Sequence, residues 1–276
     1  MIARKAVTFR IADVRLYIAS GVQVYVQHES GGPTARPLPL NGRAGRVFWD
    51  KALTSAIIRS AGLPAPDSYK ISDGERLHLR HVFAGLSPVA PYGLVVKPNR
   101  GLHGKHVYLN ITRVEDFAAA IAAAMVAAGA VLVEPMVMGT IYRFFIVNGV
   151  VVGVRYGLAE TGHSNRHQGA RIVAADDAIH VSYKRLAERI VALFDGAFIA
   201  GVDMAIPDPT NPARTGPNAN CHTIELNGSP GFLGHHFPDE GDPVDVAGAI
   251  IDGLLARFGG SGEEAAAPTA ARAGSA

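Results

Sequence analysis

The chain has 276 residues, 48% of them hydrophobic and 18% charged, an ordinary globular balance with room for one large α/β domain or two to three smaller lobes. A formal net charge of +2 excludes the strong field of a nucleic-acid or anionic-membrane binder, and the single cysteine, Cys221, excludes an internal disulfide. The segment before Arg15 is interrupted by Arg10 and Asp13 and shows no signal-peptide pattern, so the expected setting is cytoplasmic.

Up to about Arg46 the pattern gives weak strands at Val14–Ala19 and Gln23–His28 and a Gly/Pro-rich loop at 30–39. A helix is predicted over 50–61, with Leu53, Ile57 and Ala61 on its inner face, ended by Gly62, Pro64 and Pro66. Residues 92–97 read as a covered strand and 105–111 as its hairpin partner, joined by a glycine-containing loop. Residues 117–133 are uninterrupted Ala, Gly, Val, Ile, Leu and Met with Phe117 at their head, nearly long enough to cross a membrane. Thr112 and Glu115 read as a capping box, and Gly129 stops the run, so the segment divides into a water-facing helix and a buried strand at 130–133. Asn148-Gly149 is a hairpin turn between strands 141–147 and 150–155, because both positions take positive φ. A polar loop at 157–168 precedes a helix at 180–194. Strands at 198–206 and His222–Asn227 follow, separated by a Pro/Asn/Gly-rich excursion at 207–220. The last helix is predicted to open at Asp242-Pro243 and end near Phe258, before a Gly/Ala-rich tail.

Several polar residues sit where strand patterns make them conspicuous. Lys97 ends an apolar strand before a glycine-containing loop, although a lone lysine there reads more readily as a solvated one. Asp203, between Val202 and Met204, is costly to bury without a partner, unless it merely ends a strand. Glu225 and Asn227 lie two apart and so share one strand face. Carboxylate and carboxamide oxygens of this kind suit Mg²⁺, and the turn at 227–231 offers backbone N–H groups beside them. His78 and His81 read as surface residues, Cys221 as an inert core thiol, and His235-His236 as either a pocket pair or a structural turn. Arg36, Arg43 and Arg46 are too sparse for a nucleic-acid face.

The order of these segments resembles the ATP-grasp ligases, in particular the RimK-like members, with cyanophycin synthetase and glutathione synthetase as relatives. The resembling segments are Asp50-Lys51 with Gly62-Leu63-Pro64-Ala65-Pro66, Val95-Val96-Lys97-Pro98 with its glycine loop, Val131-Leu132-Val133-Glu134, Gly139 to Arg143, Ser164-Asn165 to Gly169, Gly201-Val202-Asp203, and Glu225-Leu226-Asn227 to Gly231.

The resemblance implies an α/β fold of α+β lobes, with two lobes gripping ATP and a shortened N-terminal lobe. Its divisions are 1–46 for that N-terminal lobe, 47–258 for the ATP-grasp region (47–135 with the lid, 136–258 with the metal ligands) and 259–276 for the tail. It further implies ATP contacts from Lys51, Lys97 and the loop carrying Gly101, His103 and Gly104, with Glu134, Pro135, Met136 and Val137 as the adenine hinge. Asp203, Glu225 and Asn227 would hold Mg²⁺, with Mn²⁺ as a substitute. Arg143, Arg155 and Asn165 would face the transferring phosphoryl group or the substrate carboxylate. The implied activity is ADP-forming ligation of a carboxylate to an amine through an acyl phosphate, on amino-acid or peptide substrates, by a homodimer without nucleic-acid or membrane partners. A kinase-like use of the site, or a nucleotide-binding module without turnover, is the alternative. Ile141 stands where the family carries an acid for the ribose hydroxyls, and His163 where an arginine is common.

Overall fold

The computed structural model describes residues 7–11, 14–19, 23–28, 36–38, 40–73, 78–101, 104–158 and 170–258. Strands β1 (Val7–Ile11), β2 (Val14–Ala19), β3 (Gln23–His28) and β4 (Arg36–Leu38) form an antiparallel meander. Two of these are the predicted strands, and β4 falls inside the stretch read as loop.

Helices α1 (Ala44–Phe48) and α2 (Lys51–Ser60) follow. Asp50 caps α2 by accepting the Leu53 N–H at 3.0 Å, a contact worth about 1 kcal/mol. The inner face of α2 is Thr54, Ser55 and Ile58, one step round from the predicted face, and Leu53 lies out in solvent at 47% exposure. Two hydroxyls can be buried there because both are satisfied. Thr54 Oγ1 donates to the Lys51 carbonyl at 2.9 Å and Ser55 Oγ to the Pro66 carbonyl at 3.3 Å.

A second antiparallel sheet has the order β5-β8-β6-β7, from Tyr69–Ser72, Ala130–Pro135, Leu94–Pro98 and Tyr108–Ile111. One of its faces, with Leu94, Val96, Val131 and Val133, packs on α3 (Leu79–Leu86) and α4 (Val114–Ala128). Gly129 ends α4 at φ 66°, as the sequence predicts, whereas the start has Arg113 as the capping position with no side-chain bond in place of the Thr112 box. Among the described residues no helix is long and apolar enough to cross a membrane.

The third sheet is five-stranded and antiparallel, order β11-β10-β9-β12-β13. Its strands are β9 (Thr140–Val147), β10 (Val150–Leu158), β11 (Arg171–Ala174), β12 (Ile199–Ile206) and β13 (His222–Asn227). Asn148 and Gly149 turn β9 into β10 at φ 48° and 82°. Tyr142, Phe144, Ile146, Val202 and Met204 form the face that packs on α5 (Val181–Val191). At one end of the opposite face, Phe145, Val147 and Ile199 are covered by α7 (Val246–Phe258), which follows the short helix α6 (Leu233–His236). The last helix therefore starts later than Asp242. Asp245 caps it instead, accepting the Gly248 N–H at 2.9 Å.

Candidate active site

Beyond the part of that face covered by α7, the sheet register lines up charge. Arg155 on β10 pairs with Arg143 on β9, Arg143 with Asp203 on β12, and Asp203 with Glu225 on β13. Antiparallel partners project to the same face, so four charged side chains form one row across four strands. In the next row Gly201 pairs with both Phe145 and Asn227. Gly201 has to lack a side chain, since a Cβ there would lie 2.8 Å from Pro230 in the turn after Asn227.

Arg143 holds Asp203 with a fork: Nε to Oδ1 at 2.7 Å and a terminal nitrogen to Oδ2 at 2.5 Å. Burial alone would lower the Arg143 pKa, but the Asp203 charge, the two hydrogen bonds and Glu225 outweigh it and hold the guanidinium above its ordinary value. Lys51, in the first turn of α2, reaches Glu225 Oε1 at 3.4 Å and donates to the Gly101 carbonyl at 2.8 Å. The loop bearing Gly101 is pinned to the same helix by Asn99. Its carbonyl accepts the Lys51 N–H at 3.2 Å and its Oδ1 the Ala52 N–H at 2.9 Å. Burial would raise the pKa of the neighbouring Asp50, yet the Leu53 N–H, the Asn99 amide, Lys70 and Arg100 together hold it below the usual carboxylate range.

Lys97 and Glu134 lie on the face of the second sheet that points away from α3 and α4. Their side chains meet at 2.6 Å and are almost wholly buried, at 5% and 4% residue exposure. Lys97 Nζ also donates to the Ile224 carbonyl at 3.3 Å. The β12–β13 register shifts at this point, where Asp203 pairs with Glu225 but Met204 with Thr223. Ile224 is thus the extra residue of a β-bulge, whose carbonyl is released from the ladder to the lysine. Glu134 accordingly binds Lys97. Pro135 ends β8 opposite Leu94, and the Met136 N–H is taken by the Gly93 carbonyl at 2.8 Å.

Arg155 runs over Gly234, where a Cβ would approach Nε within 3.1 Å. His235 is buried at 2% exposure, edge-on to Phe145 at 5.4 Å, with no hydrogen-bond partner at Nε2. Burial, then Arg155, Arg143 and His236, hold it well below the usual histidine range, so it is neutral. His236 does structural work, its Nε2 accepting the Ala247 N–H at 3.0 Å. Cys221 is buried, and its thiol is pushed up to about 12 by burial.

Thus the structure groups Lys51, Glu225, Asp203, Arg143 and Arg155, sets Asn227 one row away, and ties Lys97 and Glu134 to the adjacent Ile224. Gly104 occupies a turn at φ 67°. His103, His163 and Asn165 lie outside the described residues. Sequence reasoning passed over Asn99 and also Asn41, whose carboxamide makes three bonds, two of them buried. Their only signal was an asparagine at a strand or helix boundary.

Among the described residues no three His, Cys, Asp or Glu side chains cluster closely enough to hold a metal by themselves. The candidate donors are two carboxylates and the Asn227 carboxamide. This all-oxygen set fits a hard divalent cation that completes its shell with phosphate and water.

No family model matches the chain. It is 26% identical to cyanophycin synthetase of Trichormus variabilis, over 75% of this chain and 29% of that protein. It is also 26% identical to the bifunctional glutathione biosynthesis protein GshAB of Streptococcus mutans, over 75% of this chain and 35% of that one. The match therefore spans about a third of the length of these relatives. Among solved structures, the ATP-grasp ligase PsnB, in complex with a minimal precursor, Mg and ADP, superposes with a TM-score of 0.55 at 22% identity, over 79% of this chain and 61% of PsnB.

Proposed function

We propose, taking as premise that this chain has the ATP-grasp fold and belongs to that superfamily, that it is an ATP-dependent ligase joining a carboxylate to an amine with release of ADP. The observation that carries the reading is convergence: Lys51 and Lys97, from separate elements, reach consecutive residues of β13, Glu225 and Ile224, beside the Arg143–Asp203 pair. Cations and oxygen donors interleaved in this way suit a nucleotide phosphate tail carrying a divalent ion.

In this proposal Lys51, Lys97 and the loop holding Gly101 and Gly104 bind the phosphates, and residues 134–137 border the base. Asp203, Glu225 and Asn227 would hold Mg²⁺, or Mn²⁺ in its place, and the ion would supply neutralisation of phosphate charge. Arg143 and Arg155 orient the substrate carboxylate, whose oxygen attacks the γ-phosphorus as ADP leaves. The amine nitrogen then attacks the acyl carbon, phosphate departs and the amine gives up a proton. Ordered guanidinium groups stabilise the charge on both transition states. The substrates are amino acids or peptides, a reading in line with the relatives' names, and the setting we propose is cytoplasmic.

The test is ADP release in Mg-ATP with pooled amino acids and dipeptides, with hydroxylamine trapping of the acyl phosphate. Amine-dependent release with hydroxamate formation is expected, and Glu225→Gln or Asn227→Ala should abolish it. A stable phosphorylated product, or nucleotide binding without release, would overturn the ligase reading.

A further inference from the structure

Asn41 lies in the turn before α1, far in sequence from Asp203, Glu225 and Asn227, and is 7% exposed. Its Oδ1 accepts the N–H groups of Phe198 and Ile199 at 2.9 and 2.8 Å, where β12 begins. Its Nδ2 donates to the Gly228 carbonyl at 2.7 Å, where β13 has just ended. The β12–β13 ladder has Gly201 opposite Asn227, so the regular pairing stops at the level where this carboxamide stands. The side chain acts as a surrogate rung. It satisfies the N–H groups of β12 and the carbonyl of the departing chain, and so frees the main chain to leave the sheet.

The departing chain is the turn at 228–231, and its first residue is confined on both sides. A Cβ on Gly228 would lie 2.9 Å from the Phe48 ring and 3.3 Å from Asn41 Nδ2. Pro230, two residues on, closes over Gly201. Asn227 itself uses Oδ1 to accept the Ser229 N–H at 3.0 Å. The turn, the carboxamide of Asn227 and the end of β13 are thus set by one buried amide from another part of the chain.

We infer that Asn41 is a positioning residue, fixing through Gly228 the path of the 228–231 turn and the place at which Asn227 presents its carboxamide. The functional half of this inference rests on the reading of Asn227 as a metal ligand. The structural half does not. A carboxylate at this position would keep both bonds to β12 while facing the Gly228 carbonyl without a donor, so Asn41→Asp removes the rung's outer half selectively. Gly228→Ala disturbs the same point from the other side, its Cβ meeting the Phe48 ring and Asn41 Nδ2.

Two measurements on the full chain decide it. In the nucleotide-free protein, Asn41→Asp and Gly228→Ala should each raise amide exchange in residues 227–232 by about tenfold or more, with α4 and α5 unchanged. With an unhydrolysable ATP analogue bound, Mn²⁺ affinity by electron paramagnetic resonance should fall about tenfold in both variants. Analogue binding measured in EDTA should stay within about threefold. Exchange that stays at the wild-type rate in the turn, or that rises equally across α4 and α5, overturns the positioning role. If Asn227→Ala keeps full Mn²⁺ affinity, the metal reading fails, and the exchange result still decides where Asn41 holds the turn. If Asn41→Asp does not fold, Gly228→Ala carries both measurements alone.

Discussion

Arg143 occupies both carboxylate oxygens of Asp203 across the β9–β12 ladder, at 2.7 and 2.5 Å, while Lys51 lies 3.4 Å from Glu225 and Lys97 2.6 Å from Glu134. Each acid of the site is held by a base of the same chain. A nucleotide alone must pull the bases from their acids, and a cation alone must pull the acids from their bases. The two together satisfy both sets. Calorimetry should therefore show Mg²⁺ tightening an unhydrolysable ATP analogue by about 10–100-fold, with equal reciprocal tightening of the metal. Independent binding of the two would contradict this view of the row.

Lys97 and Glu134 carry a stability prediction. Removing one member of a buried pair leaves an uncompensated charge, so Lys97→Met should cost about 3–5 kcal/mol in urea unfolding. The double variant Lys97→Met/Glu134→Leu should recover most of that loss, since apolar residues can replace such a pair at little cost. It should still bind ATP poorly. A double variant no more stable than Lys97→Met would show that the pair is needed for folding.

Acid sensitivity should follow His235. Its folded pKa lies well below 6.5, chiefly through burial, so on acidification the unfolded chain takes up the proton first. Stability is therefore present above about pH 6.5 and is lost as pH falls through it, by up to about 1.4 kcal/mol per pH unit for this one group. His222 and His236 are shifted in the same direction. Melting temperatures between pH 7.5 and 5 should drop less steeply in His235→Leu than in the wild type. Parallel curves would mean that His235 does not contribute.

Two glycines should respond very differently to alanine. Gly139 has φ 130°, and a Cβ there would lie 2.6 Å from the Ile206 carbonyl carbon and 2.7 Å from two backbone nitrogens. Gly149 has φ 82° and open space around it. Gly149→Ala should cost about 1–2 kcal/mol, the price of a left-handed residue with a side chain. Gly139→Ala should cost more than about 3 kcal/mol, because backbone has to move as well. Comparable urea midpoints would show that the Ile206–Pro207 backbone yields to a Cβ at Gly139 without cost.

The Asn148-Gly149 hairpin and Gly129 were legible in the sequence because their signals are local: a pair of positive φ angles, a helix stop. Phe117 and Ile121, spaced by one helical turn, announced the buried face of α4 in the same way. The inner face of α2 was not legible, since burial of Thr54 and Ser55 depends on carbonyls that only the fold supplies. Asp242-Pro243 is a sound helix signal on its own. It was overridden because the Val244 N–H goes to the His235 carbonyl and Asp245 takes the capping role. β11 has four residues and lies at a sheet edge, too short for periodicity to register. For the site, the sequence offered Glu225 and Asn227 as one strand face. That Lys97 would meet Glu134, and that Arg155, Arg143, Asp203 and Glu225 would share one row, depends on pairing between distant strands, and so does the bulge at Ile224.

The cross-strand row also bears on how the chain reaches its native state. Sliding β9 by one residue against β12 would turn Arg143 into the layer beneath α5, among Tyr183, Leu186 and Ile190, and bring Phe144 out in its place. An unpaired guanidinium in that layer is prohibitively costly, so a misregistered sheet cannot persist as a compact impostor. The charges of the candidate site thus also select the register of the sheet that carries them, because the neighbouring pairing would bury one of them in the apolar layer.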